Sequence, residues 1–371
     1  MYRKLFNWLP VTCLAFAACS GGKQAAVSGS KTSLKDAFKD DFVIGTAMNT
    51  AQIEEKDAGA AILIPQQFNA ATPENIMKAE QLQPTWGNYN FELADKLVAY
   101  TQKHNIQLNA HTLIWHSQMP AFTRRMQSAD SLRMFFTNHI NTVAGRYDGK
   151  VYSWDVVNEA LNEDGTMRNS PYLQKLGDGF VVEAFRLAQK AAPNTKLYYN
   201  DYNIEQPKKR AGALEIVKKI QAAGVRIDGV GIQGHWHAGK IPLKDIEESI
   251  QQFAALGVQV AFTELDIEVL PRNFSGADVG QRMQAGANSN PYKDGLPDSV
   301  QQILASDYES LFTLFLKYKK DISRVTFWGV NDGQSWLNDW PIRGRKSYPL
   351  LFDREFKPKP AFYKVMAAKT K

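Results

Sequence analysis

Cysteine is nearly absent from this chain of 371 residues: Cys13 and Cys19 are the only two, both within the first 19 positions. Beyond Cys19 no internal disulfide and no cysteine-ligated metal can form. Long apolar runs are missing too. The stretch before Cys19 is too short and too interrupted for a membrane-spanning helix, which needs about 20 apolar residues. No Lys/Arg-rich run interleaved with aromatics occurs, which argues against nucleic-acid binding. No Gly-x-Gly-x-x-Gly or Walker-type loop follows an early strand-like run, so nothing supports a nucleotide. Net charge is modest at +6, with acidic and basic residues mixed along helix-like segments.

What is present describes an exported globular protein. The chain is 44% hydrophobic and 22% charged. It can bury a large core, as one large α/β barrel or as two ordinary domains. Arg3 and Lys4 precede an apolar stretch ending in Leu14-Ala-Phe-Ala-Ala, the pattern of an export signal over residues 1–18. Its removal takes the charge from +6 to +4. Cys19 follows at once, an arrangement that resembles a bacterial lipobox, with Phe16 departing from the usual aliphatic residue. Residues 19–33 are then expected to form a lipidated N-terminus and flexible polar tether. Residues 34–371 are expected to form one catalytic-sized domain without an appended module. The expected location is a bacterial membrane, most simply the outer membrane on its periplasmic or cell-surface side, with secretion as the outcome if Cys19 is not lipidated.

From Leu34 onward, short apolar runs alternate with longer helical patterns. The strand candidates are Phe42–Ala47, Gln67–Ala71, Gln107–Leu113, Tyr152–Val157, Lys196–Asn200, Gly229–Gly234, Val258–Phe262 and Arg324–Val330. Their centres carry the β-branched and aromatic residues of buried parallel strands. Helices are predicted over Phe91–His104, Pro207–Ala222, Pro242–Leu256 and Ser299–Lys319, with Gly224 and Gly257 as stop signals. Eight such units predict a single closed (β/α)₈ TIM barrel; an open doubly wound sheet is the alternative. The segment Pro271–Pro297, rich in Gly, Asn, Ser and Pro, reads as a long loop on the active face.

In such a barrel the chemistry gathers at the C-terminal ends of the strands. Two glutamates close strand-like runs there: Glu159 ends Tyr152–Glu159 and Glu264 ends Val258–Glu264. Two carboxyls can divide acid and nucleophile work on a glycosidic bond. Around them the other strand ends contribute Glu74, Asn75, Lys78, His111, Trp115, Gln118, Asn158, Tyr202, Gln233, His235, Asp266, Trp328 and Trp336. Amides, imidazoles and hydroxyls suit sugar hydroxyls, and indoles suit the apolar faces of sugar rings.

Several of these segments resemble one family. Trp154-Asp-Val-Val-Asn-Glu-Ala and Gly257-Val-Gln-Val-Ala-Phe-Thr-Glu-Leu-Asp-Ile look like the acid/base and nucleophile motifs of the family 10 glycoside hydrolases, the endo-β-1,4-xylanases. Thr72-Pro-Glu-Asn-Ile-Met-Lys, His111-Thr-Leu-Ile-Trp-His-Ser-Gln, Leu197-Tyr-Tyr-Asn-Asp-Tyr-Asn, Gly231-Ile-Gln-Gly-His and Trp328-Gly-Val-Asn-Asp-Gly-Gln-Ser-Trp resemble its other signatures. The likeness runs from about Phe42 to Val365 in family order; Ala79 departs, since the family usually carries tryptophan there. The resemblance implies endo-hydrolysis of β-1,4-xylan with retention of configuration. Glu159 would be the acid/base, its pKa raised by like-charge repulsion from Glu264, the nucleophile. His235 would hydrogen-bond Glu264, with Asp266 behind it, and Asn158 would hold the 2-hydroxyl of the sugar. Glu74, Asn75, Lys78, His111, Trp115, Gln118, Trp328 and Trp336 would line the glycone side, with Tyr202 and Gln233 near the cleavage point.

Xylan and xylo-oligosaccharides are the expected partners, besides a bilayer through Cys19. No cofactor and no metal are expected, and the chain should act as a monomer. Other readings use the same residues. A zinc triad of His111, His235 and His237 lacks any HExxH-type spacing. His116 and His139 read as core, His104 as a solvated helix end, and Asp332, Ser335 and Trp340 as loop-structuring. On function, the alternatives are a β-1,4-glucanase on the same scaffold and a catalytically inactive xylan-binding lipoprotein.

Overall fold

The computed structural model of the protein describes residues 33–274 and 276–370. Cys19 and the export signal lie outside them. Nine strands organise the described chain: β1 (Val43–Met48), β2 (Ala70–Pro73), β3 (Gln107–Trp115), β4 (Ser153–Asn158), β5 (Lys196–Asp201), β6 (Gly229–Ile232), β7 (His235–His237), β8 (Gln259–Glu268) and β9 (Ile322–Phe327). All pairings between them are parallel. β1 pairs with β2 and with β9, and β6 pairs directly with β8, so eight strands close a ring. The short β7 stands outside that ring and pairs with β8 alone. This is the (β/α)₈ barrel, and the open sheet is excluded by its closure.

Local chemistry explains the elements. Helix Pro207–Ala222 starts with proline in its first turn, where a missing N–H costs nothing. It stops before Gly224, whose φ of +67° is left-handed, as is the +74° of Gly257 after helix Leu243–Ala255. Helix Glu92–Lys103 buries Ala94, Leu97, Val98 and Thr101, a stripe at helical spacing turned toward the barrel. Helices Ala58–Gln67, Ala129–Arg146, Phe180–Ala191, Asp298–Lys317 and Pro360–Ala368 complete the outer layer.

Four strands differ most from expectation. The eighth, expected over Arg324–Val330, runs Ile322–Phe327 and gives way to a turn at Trp328. Gln67 belongs to a helix rather than to β2, and its side chain accepts from the Leu34 amide at 3.0 Å. The run Gly229–Gly234 is not one strand. It breaks after Ile232, Gly234 turns in the left-handed region at φ +83°, and β7 resumes at His235. β8 runs six residues past Phe262, because β7 supplies a pairing edge, His235 opposite Asp266 and His237 opposite Glu268. Glu264 therefore sits inside a strand, not after one. The segment 271–297 contains no helix or strand among its described residues and crosses the C-terminal mouth of the barrel.

Candidate active site

A cavity of about 500 Å³ opens at that mouth. It is lined by Glu74, Asn75, Lys78, His111, Trp115, Gln118, Asn158, Glu159, Gln233, His235, Glu264, Trp328 and Trp336. Asp266 lies one layer behind, and Tyr202 does not face the cavity.

Glu159 is the first residue after β4. Its φ of +54° is uncommon for a residue with a Cβ, and its amide donates to the Asn200 carbonyl of β5 at 2.9 Å. The turn sets its carboxyl into the mouth, where Trp115 Nε1 donates to Oε2 at 2.9 Å and Gln233 Nε2 to Oε1 at 3.1 Å. Its pKa is raised, chiefly by burial; repulsion from Glu264 adds a smaller push, and the two hydrogen bonds oppose. The like-charge argument from sequence thus named a secondary cause, because burial depth cannot be read from a motif.

Glu264 is perturbed the other way. Burial alone would raise its pKa, but the His235 hydrogen bond, the charges of His111 and His235, and the Asn200 hydrogen bond together outweigh burial and lower it. His235 Nε2 lies 3.2 Å from Glu264 Oε2 and Nδ1 lies 2.9 Å from Asp266 Oδ1. Although burial disfavours its charge, these two carboxylates lift the imidazole to about 10, so both ring nitrogens donate at neutral pH. Asp266 is itself held by Trp336 Nε1 at 2.7 Å, and Trp336 stacks on Trp340 at 4.4 Å between centroids.

Asn200 is the residue the sequence reading left without a role. Its Nδ2 donates to Glu264 Oε1 and to Asn158 Oδ1, both at 2.9 Å, and its Oδ1 accepts from Thr263 at 2.6 Å. Its place at the end of β5, beside Asp201, was the available signal. Gln233 also touches Asn158 Oδ1, at 3.4 Å. The two glutamates are therefore joined through an amide network, Gln233–Asn158–Asn200.

On the opposite wall Lys78 is buried, donating to Asn75 at 3.0 Å and Gln118 at 2.8 Å. Its ammonium lies 4.8 Å from the Trp115 ring. Burial lowers its pKa, and the carboxylates of Glu264, Glu74 and Glu159 resist that fall. Burial raises the pKa of Glu74. His111 is fixed by Asp155 at 2.9 Å. Tyr202 is buried behind Glu159: its hydroxyl accepts from Arg168 at 2.8 Å and Lys209 lies 3.5 Å from its ring centroid, and burial, then the Glu159 charge, raises its pKa. The loop 271–297 adds Ala277, Val279 and Arg282 to the wall, and the turns after β9 add Gln334 and Trp340. None of these five was named as a site residue from sequence.

The three histidines of the zinc alternative do not converge. His111 is held by Asp155, His235 by two carboxylates, and His237 by Arg272 at 3.1 Å. His139 is buried in the core against Gln83 at 3.0 Å, and burial lowers its pKa to about 4.

One carboxyl with its pKa raised and another with its pKa lowered, over an indole- and amide-lined cavity at the mouth of a (β/α)₈ barrel, form a site of the glycoside hydrolase class. The comparisons narrow the class. The chain belongs to glycosyl hydrolase family 10, whose model matches residues 33–368. It is 40% identical over 351 residues to endo-1,4-beta-xylanase A of Xylanibacter ruminicola, covering 92% of this chain and 95% of that one. It is 39% identical over 347 residues to beta-1,4-xylanase of Dictyoglomus thermophilum, covering 93% of each. The solved structure of a family 10 endoxylanase retrieved from a sugarcane soil metagenome superimposes with a TM-score of 0.86 at 42% identity, over 91% of this chain and 99% of that one.

Proposed function

We propose that this protein hydrolyses internal β-1,4-xylosidic bonds of xylan by double displacement, with retention of configuration. The observation that carries the reading is the opposite perturbation of two neighbouring carboxyls, Glu159 raised and Glu264 lowered. Glu264 attacks the anomeric carbon while Glu159 gives its proton to the departing glycosidic oxygen, which leaves a covalent xylosyl ester on Glu264. Glu159, now ionised, takes a proton from water as that water attacks the same carbon and releases Glu264. Asn158 receives two hydrogen bonds on its side-chain oxygen. Its amide nitrogen is then the group that meets the sugar 2-hydroxyl, a contact that strengthens as positive charge develops on the ring. Lys78, Asn75 and Glu74 crowd the side where the hydroxymethyl of a glucose would sit, which favours xylose over glucose. Glu264, Asn158 and His235 all being present also speaks against a binding protein without catalysis.

Cys19 and the polar segment after it support attachment of this enzyme to a bacterial membrane, where it would act as a monomer on polymer within reach of its tether. The test of the activity is a proton NMR time course on xylo-oligosaccharides together with rates on xylan and on soluble cellulose derivatives. First-formed β-anomers and a strong preference for xylan are expected. First-formed α-anomers would exclude double displacement, and faster cellulose turnover would favour the glucanase.

A further inference from the structure

Arg168 is the third residue of the strand-like return after Gly165, yet its guanidinium reaches three separate elements. Nε donates to the carbonyl of Glu159 at 3.1 Å, and Nη2 to the Leu161 carbonyl at 3.2 Å and to the Tyr202 hydroxyl at 2.8 Å. Nη1 meets Asp278 Oδ2 at 3.3 Å. The side chain is 15% exposed. Its own amide donates to the Ala160 carbonyl at 2.7 Å, so the loop folds back onto the residue after the glutamate.

Two features make this more than a surface ion pair. The Glu159 backbone stands at φ +54°, a conformation that neighbouring groups must hold for a residue with a Cβ. The planar fork of Arg168 holds it from the carbonyl side, while Asn200 holds the amide. Asp278 belongs to the long loop 271–297, and the residue before it, Ala277, is 3% exposed and lines the cavity. Gly276, at φ +94°, lies so close to Tyr202 that a Cβ there would stand 3.2 Å from its ring. The loop is therefore seated on Arg168 and Tyr202 together.

We infer that Arg168 is a positioning residue for the acid carboxyl, coupling Glu159 to the segment 276–278 so that the acid and the adjoining cavity wall are set by one side chain. The inference rests on the reading of Glu159 as acid/base and assigns Tyr202 a role through Arg168 rather than through the sugar. It goes with an electrostatic consequence. The charged and titratable groups acting on Glu159 are Glu264 on β8, Arg168 on its own loop, Lys78 after β2, Tyr199 and Asp201 on β5, and Tyr202 just after it. Of the two cations, Arg168 is the one bonded to the Glu159 backbone. A cation favours the ionised carboxylate, so removing it raises the pKa of Glu159, and the protonated acid then persists to higher pH.

The experiment compares Arg168→Met and Arg168→Lys on xylotetraose and on 2,4-dinitrophenyl xylobioside, across pH. In Arg168→Met the alkaline limb of kcat/KM should move up by about half a unit or more. In Arg168→Lys the charge stays and the limb stays, but the fork is lost. Its kcat/KM should then fall about 10- to 100-fold on xylotetraose, which needs a proton from Glu159, and far less on the dinitrophenyl substrate. If Arg168→Met does not fold, the cycle of Arg168→Lys with Asp278→Asn decides: coupled losses on xylotetraose support the inference, and strictly additive ones overturn it. An unmoved limb in Arg168→Met, or equal losses on both substrates in Arg168→Lys, overturns it as well. Those outcomes leave the acid/base assignment standing provided Glu159→Ala itself discriminates between leaving groups.

Discussion

His235 and Glu264 meet at 3.2 Å, Nε2 to Oε2, and this contact keeps the Glu264 carboxyl ionised in a site where burial would protonate it. The imidazole carries its charge because Asp266 holds the far nitrogen at 2.9 Å and Trp336 holds Asp266 in turn at 2.7 Å. On the proposed reading of Glu264 as the nucleophile, it must be ionised at the working pH, and the His235 pair should then set the acidic limb of the activity profile.

The first prediction concerns that limb. In His235→Asn the Glu264 carboxylate loses the imidazolium hydrogen bond and charge that help hold it below the usual range. Its pKa rises, so the acidic limb of kcat/KM on an aryl xylobioside should shift to higher pH, whereas Asp266→Asn leaves an imidazole still protonated at the pH of that limb and should move it far less. A limb that stays in place in His235→Asn would show that Glu264 does not set it.

Glu264→Ala tests the nucleophile itself. Hydrolysis should be abolished, and added azide should restore turnover on an activated aryl xylobioside by entering the space left by the carboxylate. Attack from that side displaces a β-linked leaving group, so the product is the α-glycosyl azide. Near-normal hydrolysis by the purified variant, or a β-azide product, would assign the nucleophile elsewhere.

Removal of the other carboxyl should discriminate between leaving groups. In Glu159→Ala a dinitrophenolate needs no proton to depart, so glycosylation survives, while deglycosylation lacks its base. A burst of aryl release followed by slow turnover is expected, with poor leaving groups losing about 10²- to 10⁴-fold. Equal loss on good and poor leaving groups with no burst would end the acid/base role.

These residues were legible in the sequence because a parallel barrel places strand ends, in order, around one mouth. Glu159, Asn158, Gln233 and Glu264 could be read from strand-like runs without knowing any contact. The helix Pro207–Ala222 could be bounded by its own proline and by Gly224 beyond it. What escaped depends on distance in sequence. Asn200 bonds Glu264, 64 residues away, and Arg168 meets Asp278, 110 residues away. No local pattern marks such partners. The break at Gly234 escaped because an apolar run with a glycine reads equally as a strand or as a bulge, and only pairing with β8 decides. Tyr202 stands near the acid as its motif implies, but its hydroxyl accepts from Arg168 and its ring carries the Lys209 ammonium, contacts that no local pattern marks.

Stability of the tryptophan wall should depend on Glu268 at the end of β8. Its buried carboxylate accepts from Arg345 at 3.0 Å and from Ser347 at 2.7 Å, and Arg345 also donates to the Trp340 carbonyl at 2.8 Å. Glu268→Ala leaves a buried guanidinium without its counter-charge, a loss of about 3 to 5 kcal/mol. Urea denaturation should show the lowered midpoint with an unchanged slope. A midpoint within error of the parent would mean that the pair contributes nothing to the folded state.

The remaining prediction addresses where the enzyme works. Leu14-Ala-Phe-Ala-Ala-Cys19 and the polar residues after it motivate attachment through a lipidated Cys19. Each buried CH₂ of an acyl chain contributes about 0.8 kcal/mol, so two or three chains on one N-terminus hold a protein of this size on a bilayer. A flexible polar tether spans about 5 to 6 Å times the square root of its residue count, enough to let the barrel mouth meet polymer away from the surface. Cys19→Ala should move the protein from the membrane fraction to the soluble fraction with its specific activity intact. EDTA should leave both forms active, because carboxylates carry the two chemical steps. A parent protein already wholly soluble in its native host would overturn the anchor, and loss of activity on chelation would overturn the carboxylate-only mechanism.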